Sequence, residues 1–169
     1  MIFDRLFRGF SAEAREGVEA AVEEARGLGH DSVGDEDLLL GVLRVDRSAA
    51  AEALSSLGVT LEAAREESEG MTADALSSVG ISLEEIRREA CEAFEMRLPE
   101  DRRISFSPRA KEALGKALRE ARRLEDRRLT PEHVLRGVLC VEGGTAVRLL
   151  SRLGVSPDQV VDRLDGRRR

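Results

Sequence analysis

A gapless internal repeat constrains this chain more than any other feature. Displaced by 96 residues, positions 10–59 align with positions 106–155, and 21 of the 50 pairs are identical. Phe10-Ser11 meets Phe106-Ser107, and Glu24-Ala25-Arg26 meets Glu120-Ala121-Arg122. Gly41-Val42-Leu43 meets Gly137-Val138-Leu139, and Leu57-Gly58-Val59 meets Leu153-Gly154-Val155. The offset is longer than the roughly 20–50 residues of a solenoid unit. It therefore predicts two copies of a small module that act as a pseudo-symmetric pair.

The modules read as helical. Ala, Leu, Glu and Arg, all strong helix formers, dominate a chain without Trp or Tyr. In the first copy, Ser11 is a cap before apolar positions Ala14, Val18, Ala21, Val22 and Ala25, which share one helix face. A short helix around Leu38–Leu43 is apolar nearly all round and should be buried. A third helix runs from about Ser48 to Leu57 before Gly58, and a fourth from Thr60 to about Glu69. In the second copy, Ser107-Pro108, Thr130-Pro131 and Ser156-Pro157 each set a cap residue before a proline at the first helical position. Between the copies, Ala53–Glu62 is echoed as Ala75–Glu84, with Ser82 and Glu85 patterned as a capping box. This insertion should continue as helix to about Phe94, with an exposed link over Leu98–Arg103. The expected division is repeat 1 over 1–70, insertion and linker over 71–105, and repeat 2 over 106–166.

Motifs for chemistry are absent. Gly143-Gly144-Thr145 lacks the lysine of a phosphate-binding loop. His30 and His133 do not pair under the repeat and sit in no metal-ligand array, so neither zinc nor a catalytic histidine is expected. No nucleophile elbow is present. The chain is read as non-enzymatic, with no cofactor and no metal. Cys91 and Cys140 are likewise unmatched, which suits a reducing compartment. No signal peptide or membrane-spanning run is evident, and a cytoplasmic protein is expected.

Charge is unevenly spread. Residues 1–100 carry −13 and residues 101–169 carry +7. Either the halves attract one another, or the basic half, with Arg122-Arg123, Arg127-Arg128 and Arg167-Arg168-Arg169, binds nucleic acid. The overall charge of −6 and the lack of aromatics among the arginines weigh against nucleic acid. Glu36 and Glu132 persist although their neighbours change from Asp35 to Pro131 and from Asp37 to His133. Each glutamate falls in the first turn of a buried helix, where any acid would serve the helix dipole. A carboxylate also offers two acceptors to a guanidinium, and helix N-terminal amides with a hydroxyl can hold an anion. Phe3, Phe7, Phe10 and Phe106 either pack between the modules or line an apolar groove for a partner.

These residues carry a resemblance. Phe10-Ser11-x-x-Ala14-Arg15, Leu28-Gly29-His30, Gly34-Asp35-Glu36-Asp37-Leu38-Leu39 and Leu57-Gly58-Val59 resemble the Clp N-terminal repeat domain, particularly that of ClpC-type AAA+ unfoldases. Phe106-Ser107-Pro108-Arg109-Ala110-Lys111 and Thr130-Pro131-Glu132-His133-Val134-Leu135 repeat the family pattern in order. The inserted segment resembles that of stand-alone members, which lack ATPase modules. The resemblance implies an all-α fold of two pseudo-twofold-related four-helix repeats with an extra helical insertion between them. It also implies a docking role in protein quality control, with a Clp unfoldase, an adaptor or tagged substrates as protein partners. By the same resemblance, phosphoarginine would bind in two pockets, Glu36 with Ser11 and Glu132 with Ser107. Asp31, Asp35 and Asp37 around Glu36 would repel a phosphate, whereas Arg127 and Arg128 near Glu132 would favour it.

Overall fold

Short polar caps set where the helices begin. In a computed structural model, which describes residues 7–82, 84–86, 88 and 104–167, a 3-10 turn over Phe7–Gly9 leads into α1, Ala12–Gly27. Ser11 Oγ accepts the Ala14 N–H at 3.1 Å to start α1. Then follow α2 (Asp35–Arg44), α3 (Ala49–Ser56, capped by Ser48) and α4 (Leu61–Ser78, capped by Thr60). The second module supplies α5 (Pro108–Arg123, capped by Ser107), α6 (Pro131–Leu139), α7 (Thr145–Arg152) and α8 (Pro157–Gly166, capped by Ser156). The three prolines stand at the helix starts the sequence assigns them.

The fold is thus all-α, two four-helix repeats. Two-residue strands β1 (Ser32–Val33) and β2 (Ser105–Phe106) pair in parallel, Val33 opposite Phe106. An isolated parallel bridge joins Phe10 to Leu129. These are the same contact under the 96-residue offset, with the modules exchanged. That reciprocity is the pseudo-twofold axis expressed in hydrogen bonds.

The buried helices α2 and α6 pack against each other as well as against α1 and α5. Leu38, Leu39, Leu40, Val42, Leu135 and Val138 are almost fully enclosed. Glycines permit the close crossings. A Cβ on Gly41 would lie 2.1 Å from the Gly17 carbonyl oxygen, and one on Gly137 would lie 2.2 Å from that of Ala113.

One boundary differs from expectation. α4 does not stop near Glu69 but runs to Ser78, so the division at residue 70 falls inside a helix. Gly70 costs about 1 kcal/mol relative to alanine, but Met71 beyond it packs on the core. Arg152 of α7 pairs with both Glu67 and Asp74, one on each side of that glycine. The helix ends at Gly80, with φ +77°. Ser82 Oγ then accepts the Glu85 N–H at 3.4 Å, which is half of the expected capping box. The helix end near Phe94 and the link over Leu98–Arg103 lie outside the described residues.

Phe7 and Phe10 belong to the core. Both are buried, with ring centroids 5.0 Å apart and planes at 87°. Their burial follows from the Phe10–Leu129 bridge, which pins the segment against the second module, and it removes both rings from any partner groove. Phe106 is half-buried against the same core, and Phe3 lies outside the described residues.

Candidate functional site

The heads of α2 and α6 carry the two persistent glutamates, and they are built differently. At α2 the N-cap is Gly34, which has no side chain to cap with. Asp37 supplies that function: its Oδ2 accepts the Gly34 N–H at 2.8 Å. His30 Nδ1 donates to Asp37 Oδ1 at 2.9 Å. Asp35, also buried, turns away to the second module and accepts the Ala146 N–H of α7 at 2.9 Å. The Gly143-Gly144-Thr145 turn thus presents its following amide to a carboxylate of its own chain, not to a phosphate.

Glu36 is the acid left over. It is half-buried, and its carboxylate folds back over Gly34 to occupy the space a Cβ would take. Burial, reinforced by the Asp37 and Asp35 carboxylates, raises its pKa to about 7. The hydrogen bond to Asp37 raises that of His30. His30, Glu36 and Asp37 place three donor atoms within 4.8 Å of one another, a set that could hold a metal ion. Asp37 already accepts a backbone N–H and the imidazole, so capping alone accounts for its position.

At α6 the same pair of residue types recurs with its members exchanged. His133 stands at the Asp37 position and Asp126 at the His30 position. His133 Nδ1 accepts the Thr130 N–H at 3.0 Å, and its Nε2 donates to Asp126 at 2.9 Å. His133 is therefore the capping group at α6, and His30 supports the one at α2, Asp37. The signal lay in the alignment: His30/Asp37 meets Asp126/His133, an exchanged pair that reading each histidine separately missed.

Glu132 is half-buried and lines a cleft of about 530 Å³. Asp126, Arg127, Arg128 and Thr130 line it from the segment leading into α6, with Arg136 a turn along that helix, Leu164 of α8, and Arg167 just past its end. Ala49 of the first module closes one side. Four arginines thus surround one glutamate that makes no capping bond. Arg136 is held by Asp165 at 2.5 Å, and Arg167 reaches Glu52 of α3. Arg127 and Arg128 are exposed and form no ion pair with any described residue.

The serines are redistributed between the two heads. The Ser11 N–H donates to the Leu129 carbonyl at 2.8 Å, and the Ser107 N–H to that of Val33 at 2.9 Å. Each serine is joined to the strand that leads into the other module's glutamate, three residues ahead of it. The parallel register between modules thus associates Ser11 with Glu132 and Ser107 with Glu36, not with the glutamates of their own copies. Both hydroxyls accept helix N–H groups, of Ala14 and Ala110, and that of Ser11 also bonds the Glu13 carboxylate.

Comparison with known proteins matches residues 9–70 and 105–167 to the Clp repeat (R) N-terminal domain. The chain is 34% identical over 155 residues to a chloroplastic ATP-dependent Clp protease ATP-binding subunit ClpA homolog of Brassica napus. It is 36% identical over 150 residues to a ClpA homolog of Cyanidium caldarium. Those alignments cover 92% and 89% of this chain but 15% of each relative. The crystal structure of the N-terminal domain of the chaperone ClpD from Arabidopsis thaliana superposes with a TM-score of 0.71 at 25% identity, covering 95% of both chains. The Hsp104 N-terminal domain from Candida albicans shares the fold, with a TM-score of 0.62 at 14% identity, covering 92% of this chain and 89% of that one.

Proposed function

The chain belongs to the Clp repeat N-terminal domain family, and on that footing we propose that it is a non-enzymatic docking module of a Clp protein quality-control system, one that recognises arginine-phosphorylated protein at the head of α6. The observation that carries this reading is the cleft around Glu132. A phosphoarginine side chain presents a guanidinium-type group and a phosphate on one stem. Glu132 offers the first a carboxylate with both acceptors free of capping duty, and Arg127 and Arg128 offer the second two exposed cations. The Thr130 hydroxyl lines the same cleft. The pseudo-equivalent head of α2 offers the phosphate no such cations. Asp31, Asp35 and Asp37 surround Glu36 there, and its carboxylate covers Gly34.

Calorimetric titration of the full chain with free phosphoarginine tests the reading. Glu132→Gln should weaken binding by about ten-fold or more, the worth of a hydrogen bond to a charged group. Glu36→Gln should change it less than about two-fold. Equal losses from the two variants, or no binding by the parent chain, would overturn the proposal.

A further inference from the structure

The cleft at the head of α6 is larger and more basic than one tagged side chain requires. One phosphoguanidine uses one carboxylate and a pair of cations, yet four arginines line a space of about 530 Å³, within the range of pockets that hold whole small ligands. The first copy lacks these arginines: the positions of Arg127, Arg128 and Arg136 are Asp31, Ser32 and Leu40 there. Arg167 lies just past the end of α8 and, among the described residues, pairs with the exposed Glu52, which a ligand carboxylate can replace.

Resting on the phosphoarginine reading of Glu132, we infer that the cleft takes an acidic peptide segment around the tag. With Arg127 and Arg128 on the phosphate, Asp or Glu within a residue or two of the phosphoarginine pairs with Arg167 in place of Glu52. Nucleic acid fits the same surface less well. A phosphodiester backbone brings no guanidinium for Glu132 to bind, and among the described residues no aromatic side chain lines the cleft for a base to stack on.

Fluorescence anisotropy with three labelled phosphoarginine peptides tests this, identical except that the flanking residues are Asp, Ser or Lys. On the full chain at low salt, the Asp peptide should bind roughly two- to five-fold tighter than the Ser peptide, and the Lys peptide weaker still, as expected for one partly exposed ion pair. The ranking should collapse towards equality at high ionic strength. It should collapse also in Arg167→Ala, which keeps the phosphate-binding arginines and whose fold is checked by circular dichroism. Three peptides bound equally well would overturn the acidic preference while leaving phosphoarginine recognition standing. No binding by any of them would remove the recognition itself. A single-stranded oligonucleotide that displaces the Asp peptide at equal charge concentration would also overturn the inference, showing a general polyanion surface.

Discussion

Three consecutive acids head α2, and each has a different environment. Asp37 serves the N-cap, Asp35 reaches across to α7, and Glu36 is left half-buried against two like charges. A carboxyl whose pKa is raised on folding keeps its proton in the native state after the unfolded chain has released it. Stability then falls as pH rises from about 4.5 to 7, and the full cost persists above that window. His30, raised as well, adds stability that is complete below pH 6.5 and is lost as pH passes its higher native value. Glu36→Gln should therefore stabilise the protein at pH 8, by on the order of 1–2 kcal/mol after allowance for partial exposure, and by far less at pH 4.5. Urea melts of both proteins across that range check the sign; a gain that is the same at both ends would exclude the titration of Glu36 as its cause. The persistence of Glu36 and Glu132 was legible in the repeat. That Asp37 and His133 do the capping, and so free the glutamates, was not, because capping depends on where the preceding loop delivers His30 and Asp126.

Gly41 and Gly137 show what an element needs from its neighbour. Both were visible as identities, and the reason appears only at the helix crossings, where the facing carbonyl oxygen leaves no room for a methyl group. Gly137→Ala should destabilise by about 3 kcal/mol, since the clash is with backbone and not with a side chain that can rotate aside. Gly115→Ala, with open space around it, is the control and should be neutral or slightly stabilising by helix propensity. Thermal unfolding distinguishes them. The echo of residues 53–62 in 75–84 makes the complementary point. Gly58 and Gly80 both adopt positive φ, and the Val59 and Ile81 amides close the same turn onto Leu54 and Leu76. Yet Val59 is fully buried while Ile81 is 43% exposed. Local sequence repeated the turn; burial required a partner that only the first copy has.

Across the whole molecule, the charge asymmetry is used between modules. Arg152 pairs with Glu67 and Asp74, and Arg167 with Glu52, in each case an arginine of the second copy with an acid of the first. These pairs are mostly exposed, and Arg152→Ala should cost less than about 1 kcal/mol. Asp35→Ala should cost more, roughly 1–3 kcal/mol, because it strands the buried Ala146 N–H at the start of α7. Chemical denaturation of the two variants side by side tests that order; the reverse order would mean that long-range attraction, and not the buried cap, joins the modules. Among the described residues no helix is long and apolar enough to cross a membrane.

The sequence by itself determined the helical class, the duplication, the cap and proline at three helix starts, and the glutamate that persists in each copy. Those features depend on local backbone chemistry or on residue identity at a fixed offset, which a linear chain displays. Only the tertiary structure decided which residues share a site. Parallel pairing of Phe10 with Leu129 and of Phe106 with Val33 joins each serine to the strand leading to the other copy's glutamate. The arginines of the cleft come from a loop, from α6 and from the residue that follows α8. Hydrogen bonding between distant strands sets that register, and no spacing along the chain encodes it.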